Sequence, residues 1–195
     1  MRYAILTSLL AACGGSSPAR PDAAGDAPAV VVGNLGGQPF TPRAAIWTTA
    51  QAAGFDFDKQ STVVMVTDYA DACALQGSNT GVPGGRILIF VLAATSATGS
   101  SSPISALGPY AVSTGHPAVS SQLVEPYFEV DDAHCLGTTK QFGASGTVTV
   151  SSTADPQAAT FDVTFAGGEH VTGSYRATAC AALNPNRTPL GGCPR

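Results

Sequence analysis

The sequence predicts a single all-β domain, built as an antiparallel β-barrel or sandwich of about eight or nine strands. Short runs of β-branched and apolar residues recur along the chain, and each is too short to favour a buried helix. Toward the C-terminus, apolar and polar residues alternate across residues 144–179, as expected for a three-stranded meander. Only 11% of the residues are charged, while 22 are glycine. This composition favours strands joined by turns.

The strands can be placed along the chain from these runs. Pro126 lies inside one of them and predicts an edge strand or a β-bulge there, because proline cannot donate to a ladder. The one helix that the pattern allows is brief, over residues 68–75. The candidate strands are 30–32, 45–49, 62–67, 86–92, 109–113, 121–130, 147–151, 161–165 and 171–177.

Alternation in the last strands assigns side chains to the two faces of the sheet. Phe161, Val163, Phe165 and Tyr175 are predicted to point inward, between polar neighbours that point to solvent. The turn at residues 166–169 should set their register, because a slip of one residue would send every inward side chain outward.

The N-terminus has the organisation of an export signal followed by a tether. Arg2 precedes a seven-residue apolar run, which as a helix would span only about 10 Å of a ~30 Å bilayer core. We therefore expect residues 1–12 to be a cleaved signal peptide. Residues 13–29 contain no large apolar side chain after Cys13 and predict a flexible tether. Residues 30–195 are then a single domain.

The end of the leader, Leu10-Ala11-Ala12-Cys13, resembles the lipobox of bacterial lipoproteins. The resemblance implies cleavage before Cys13, lipidation of its sulfur, and attachment to a membrane of the bacterial cell envelope. The residue after the cysteine is Gly14 instead of aspartate, which in that family goes with the outer membrane. The alternative is an ordinary signal peptide with a chance cysteine.

Lipidation of Cys13 also resolves an odd count of five cysteines. The remaining four suit two disulfides in an oxidising compartment. We expect a Cys180–Cys193 bridge, because the tail between them has little apolar content and should otherwise fray. Cys73 and Cys135 are then paired by elimination.

Metal and cofactor chemistry is not expected. The four cysteines include no C-x-x-C spacing, and His116, His134 and His170 do not fall at the intervals of zinc ligands. Asp56 and Asp58 form an Asp-x-Asp pair, but the calcium-loop glycine and further oxygen ligands do not follow.

The chain carries no specific catalytic signature. Without Arg2 it has eight Lys and Arg against thirteen Asp and Glu, a net charge of −5, which argues against nucleic-acid binding. The densest polar cluster is Asp131, Asp132, His134 and Cys135. A polar turn beside a disulfide is the favoured interpretation, and a cation or acid/base site is the alternative.

The body of the chain is similar to uncharacterised lipoprotein domains of Gram-negative bacteria. The similarity lies in the Gly36-Gly37-x-x-Phe40 entry, the strand and Asp–Cys segment at 63–73, and the closing meander that ends at Cys180. It implies an architecture and no activity.

Three functions stay open from the sequence. The first is a non-catalytic envelope lipoprotein that binds a protein or small-molecule partner through loops such as 76–85 and 95–108. The second is a small-ligand barrel of the lipocalin type, which needs an interior cavity. The third is a hydrolase whose site is assembled in space.

Overall fold

The computed structural model describes residues 28–51, 60–96, 98, 100–113, 121–185 and 193. The predicted signal peptide, Cys13 and nearly all of the tether lie outside this part of the chain. Its elements are β1 (Ala29–Leu35), β2 (Gln38–Pro39), β3 (Ala44–Gln51), β4 (Gln60–Thr67), α1 (Ala72–Ser78), β5 (Arg86–Thr95), β6 (Ser101–Ser102), β7 (Gly108–Val112), β8 (Ser121–Asp131), β9 (Gly137–Ser152), β10 (Gln157–Phe165) and β11 (His170–Ala179).

The predicted β class is confirmed, and the details of the sheet differ from the prediction. The strands form one eleven-stranded sheet in the order β10-β9-β7-β8-β5-β4-β3-β11-β1-β2, with β6 on β5 and with further β10–β11 and β9–β8 pairings. The sheet is mixed, because β11 is parallel to β3 and β7 is parallel to β8. The parallel contact between β11 and β3 involves Thr178 and Ala179, which lie beyond the last residue of β11 that pairs with β10, Ala177.

The closing meander has the predicted pairing and facing. β9, β10 and β11 pair antiparallel in sequence, and Phe161, Val163, Phe165 and Tyr175 are all buried. The turn between β10 and β11 is tightened by a bond from the Gly168 amide to the Phe165 carbonyl oxygen at 2.9 Å. The alternation in the sequence therefore predicted the facing of these strands.

The larger hydrophobic cluster fills one face of the sheet, here called the inner face. Phe90 packs against Phe161 at 5.0 Å and against Tyr175 at 5.6 Å between ring centroids. Phe128 meets Phe165 edge-on at 4.9 Å. Such tilted and edge-on pairs stabilise a core beyond the area that they bury.

Short segments cover both ends of the inner face. At one end the β1–β2 hairpin inserts the buried Leu35, and the Gly37 amide donates to Glu169 Oε1 at 2.9 Å. At the other end the segment 101–107 is held by two bonds: the Ile104 amide donates to Thr62 Oγ1 at 3.1 Å, and Tyr110 Oη donates to the Ala106 carbonyl at 3.0 Å.

A second hydrophobic cluster lies on the opposite, outer face of β3, β4, β5 and β8. It includes Ile46, Met65 and Tyr127 from the strands, Ala72 from α1, and Leu183 from the segment after β11. The sheet is thus buried on both sides in this region, which explains the continuous apolar run of β5.

The two disulfides join Cys73 to Cys180 and Cys135 to Cys193, with Cα–Cα distances of 5.7 and 5.3 Å. All four cysteines are therefore oxidised as predicted, but the predicted pairing, Cys180–Cys193 with Cys73–Cys135, is wrong. The Cys180 amide donates to the Trp47 carbonyl at 2.8 Å. This bond holds the end of β11 beside β3, at the outer cluster where α1 carries Cys73.

Pro126 lies within the sheet, where the sequence predicted an edge or a bulge. On one side it is opposite Phe90 of β5. On its other side, the pairing with β7 ends at Val124 and the pairing with β9 begins at Tyr127. Pro126 lies in the gap between these two pairings, so its missing N–H removes no ladder hydrogen bond on that side of the strand.

The helix begins later than predicted, at Ala72 instead of residue 68. The Asp68 carboxylate accepts from the backbone amide of Arg86 at 2.9 Å and from Arg86 Nε at 2.8 Å. Because this contact anchors Asp68 to the start of β5, the chain turns before it becomes helical. No helix in the described ranges has the length and apolar character needed to span a bilayer.

Candidate functional site

The predicted polar cluster at residues 131–135 is a tight turn between β8 and β9. Asp132 Oδ1 accepts from the amides of His134 at 2.7 Å and Leu136 at 3.0 Å. The Leu136 amide, followed by that of His134, lowers the pKa of Asp132. Cys135 adopts a left-handed conformation with φ of 58° and is buried in its disulfide. The interpretation as a polar turn beside a disulfide is confirmed.

Three carboxylates act electrostatically on Tyr69: Glu129 and Asp131 from β8, and its neighbour in sequence, Asp68. Burial raises the pKa of the Tyr69 phenol, and Asp131, Asp68 and Glu129 raise it further. Burial, reinforced by Glu129 and other nearby carboxylates, raises the pKa of Asp131 to about 6. Arg86 offsets part of this charge through its ion pair with Asp68.

In the described part of the chain, no group of three or more His, Cys, Asp or Glu residues is arranged so that it could hold a metal ion. Asp56, Asp58 and His116, the other candidate ligands in the sequence, lie outside the described residues.

The two loop regions that the sequence suggested for binding, 76–85 and 95–108, make contacts within the domain. In the first, the Gly85 carbonyl accepts from the Asp131 amide at 2.8 Å, and the Gly84 amide donates to the Asp132 carbonyl at 2.8 Å. The second contains the segment 101–107 that covers one end of the inner face. Because these loops are held in contacts within the domain, we take the outward side of the meander as the better candidate for a binding surface.

That surface, here called the hydroxyl face, is formed by β1, β10, β11 and the second half of β9. Its side chains alternate with those of the inner cluster, so they project away from it. Val30 and Val32 at its β1 edge are 53% and 65% exposed. Its members are Val30, Val32, Thr147, Thr149, Thr160, Asp162, Thr164, Thr172, Ser174, Arg176 and Thr178.

The strand register arranges these side chains in rows. One row runs across the four strands through Val30, Ser174, Thr160 and Thr149. Neighbouring strands are about 4.8 Å apart, and rows that are two residues apart along a strand are separated by about 6.8 Å. The next row consists of Val32, Thr172, Asp162 and Thr147.

A shallow pocket of about 220 Å³ lies at the end of the hydroxyl face where β10 and β1 begin. It is lined by Pro28, Pro156, Arg176 and Thr178. Within the described ranges, no carboxylate lies within 4.0 Å of the Arg176 guanidinium nitrogens. The pocket therefore combines two proline walls with an unpaired cation and a hydroxyl group.

Part of the hydroxyl face could be predicted from the sequence, because Thr and Ser occupy the alternate positions of the predicted meander. Its β1 edge could not be predicted, since no local pattern indicates that β1 pairs with β11, a strand about 140 residues further along the chain. The pocket also joins segments that are distant in sequence.

In comparisons with known proteins, the chain matches no family model, no curated protein and no solved structure.

Proposed function

We propose that this chain is a non-catalytic lipoprotein of the bacterial cell envelope that binds carbohydrate through its hydroxyl face. Cys13 would carry the lipid and the residues after it the tether, with attachment to the outer membrane. Two disulfides are typical of proteins in an oxidising compartment, which is consistent with export.

The scaffold in this proposal is a closed barrel with a filled interior. Successive pairings of β10, β9, β8, β5, β4, β3 and β11 return to β10, a circuit that supports a barrel over an open sandwich. Closure removes most free edges. A closed and filled scaffold holds its outward side chains at fixed spacings.

Carbohydrate is the partner that the surface chemistry favours. Threonine and serine hydroxyls both donate and accept hydrogen bonds, as sugar hydroxyls do. The observation that carries the proposal is the pocket at Pro28, Pro156, Arg176 and Thr178 at the end of the hydroxyl rows. Its two prolines suit the apolar face of a sugar ring, and Arg176, which has no carboxylate within 4.0 Å among the described residues, suits an acidic substituent.

The other two functions have weaker support. A lipocalin-like site needs an interior cavity large enough for a whole ligand, whereas the aromatic rings of Phe90, Phe128 and Phe165 are buried in the core of the inner face. A Ser/His hydrolase needs a histidine beside a hydroxyl. Among the described residues, no serine or threonine hydroxyl lies within hydrogen-bonding distance of the rings of His134 or His170, and His170 Nε2 contacts Asp162 at 2.8 Å.

Co-sedimentation with insoluble peptidoglycan sacculi tests the carbohydrate proposal. Arg176→Gln should weaken binding about 10- to 100-fold, because hydrogen bonds to charged groups contribute about 1.5–3 kcal/mol. Thr149→Val with Thr160→Val removes two hydroxyls while retaining the β-branched shape, and it should also weaken binding. Thr138→Val is the matched control, since Thr138 bonds the Val130 carbonyl outside this face. Binding that is absent in the wild type, or equal in all variants, would contradict the proposal.

The anchor is tested separately by cell fractionation. Cys13→Ala should be released from the membrane fraction or accumulate as an uncleaved precursor, while the unchanged chain stays with the membrane. If both forms fractionate as soluble protein, the lipid anchor is wrong and the carbohydrate proposal is unaffected.

A further inference from the structure

Two large polar side chains, Gln157 and Tyr175, face the inner core, and each is only 1% exposed. Among the described residues, Gln157 Oε1, Gln157 Nε2 and Tyr175 Oη have no hydrogen-bond partner. Buried polar groups are nearly always satisfied, because each unsatisfied one retains a large desolvation cost. Three such atoms on one face therefore indicate a ligand.

The pairing of β10 with β11 places these two residues beside each other. Gln157 is opposite Ala177, and Tyr175 is opposite Ala159. Gln157 and Tyr175 are thus diagonal neighbours on the inner face, a relation that separates Cα atoms by about 7–8 Å. Each of them is opposite an alanine, whose methyl group offers no hydrogen-bonding atom.

The surroundings define the chemistry of the ligand. Among the described residues the one buried charged side chain is Glu125, and it lies on the outer face because it alternates with the inward Val124. A charged ligand would therefore find no counter-ion on the inner face. An amide and a phenol both donate and accept, so the ligand is neutral, small, and able to do both.

We propose that Gln157 and Tyr175 form an internal binding site for a small neutral hydrogen-bonding molecule. Water is the smallest molecule with this chemistry, and a small amide or alcohol shares it. The segment 101–107 covers the same end of the inner face through its bonds to Thr62 and Tyr110.

Stability measurements on matched variants test whether the site is occupied. Tyr175→Phe and Gln157→Met remove the polar atoms and keep most of the volume. If a ligand satisfies these atoms, each change raises the unfolding equilibrium constant about three- to tenfold, the usual effect of one lost hydrogen bond. Thr67→Val is the calibration, since it removes a buried hydroxyl on β4 that donates to the Tyr69 carbonyl oxygen at 2.7 Å, and it should raise the constant by a similar factor. Unchanged or lowered constants for both test variants overturn the proposal.

Nuclear magnetic resonance distinguishes the two sources of the ligand. Cross-relaxation between water and the methyl protons of Ala159 and Ala177 should be present in the unchanged chain and lost in Tyr175→Phe. Acetamide is then titrated as the probe. Saturable shifts of these two methyl signals identify a site open to small amides, and unchanged shifts with persistent water contacts identify resident water. Neither water contacts nor an acetamide response would overturn the site.

Discussion

Serine substitutions at the cysteines test the disulfide pairing, because the observed pairing and the one predicted from the sequence give opposite couplings between variants. Cys73–Cys180 closes a loop with a sequence separation of 107, and Cys135–Cys193 closes one of 58. In the chain-entropy treatment these loops contribute about 4.8 and about 4.2 kcal/mol when each is taken alone. A Cys180–Cys193 loop of 13 positions would contribute only about 2.9 kcal/mol.

A double-mutant cycle separates the pairings. With Cys73 bonded to Cys180, the double variant Cys73→Ser/Cys180→Ser should lose about as much stability as either single variant, because one bridge is broken in all three. Cys180→Ser/Cys193→Ser breaks both bridges and should lose several kcal/mol more than either single variant. Urea unfolding monitored by the single tryptophan, Trp47, measures these differences.

The opposite result would refute the pairing. If Cys180→Ser and Cys193→Ser prove non-additive while Cys73→Ser and Cys180→Ser add, Cys180 is bonded to Cys193. Peptide mapping without reduction gives an independent answer: fragments should join residue 73 to residue 180 and residue 135 to residue 193.

Three further predictions concern stability. Phe165→Ala should lower the free energy of unfolding by about 3–5 kcal/mol, because the Phe165 ring packs edge-on against Phe128. Thr164→Ala should lower it by less than about 1 kcal/mol. Equal losses in urea unfolding would disprove that Phe165 points inward and Thr164 outward. The pKa of Asp131 in the folded protein, about 6, lies above its value in the unfolded chain, so the free energy of unfolding should fall modestly as pH rises from about 4 to 6. Asp131→Asn should remove this pH dependence. If the dependence persists in the variant, groups other than Asp131 cause it. Gly173→Ala should detach β1, because a Cβ would overlap the Val30 carbonyl oxygen; hydrogen exchange should show faster β1 amides, and unchanged protection would contradict this.

Much of the domain could be predicted from local patterns. The β class, the approximate positions of the strands and the inward facing of Phe161, Val163 and Phe165 follow from alternation, which depends only on neighbouring residues. The oxidised state of the four cysteines was predicted from their even number together with the expected export of the chain. The threonines of the hydroxyl face were visible in the same way, as the polar half of the alternation.

The tertiary structure alone decided which elements meet. The parallel contact of β11 with β3 brings Cys180 to Cys73, and the pairing of β1 with β11 brings Val30 beside Ser174. The unpartnered Gln157 and Tyr175 became a site only when β10 and β11 set them diagonally on the inner face. Local patterns report the face on which a side chain lies. The residue across from it depends on chain topology, which no short stretch of this sequence encodes.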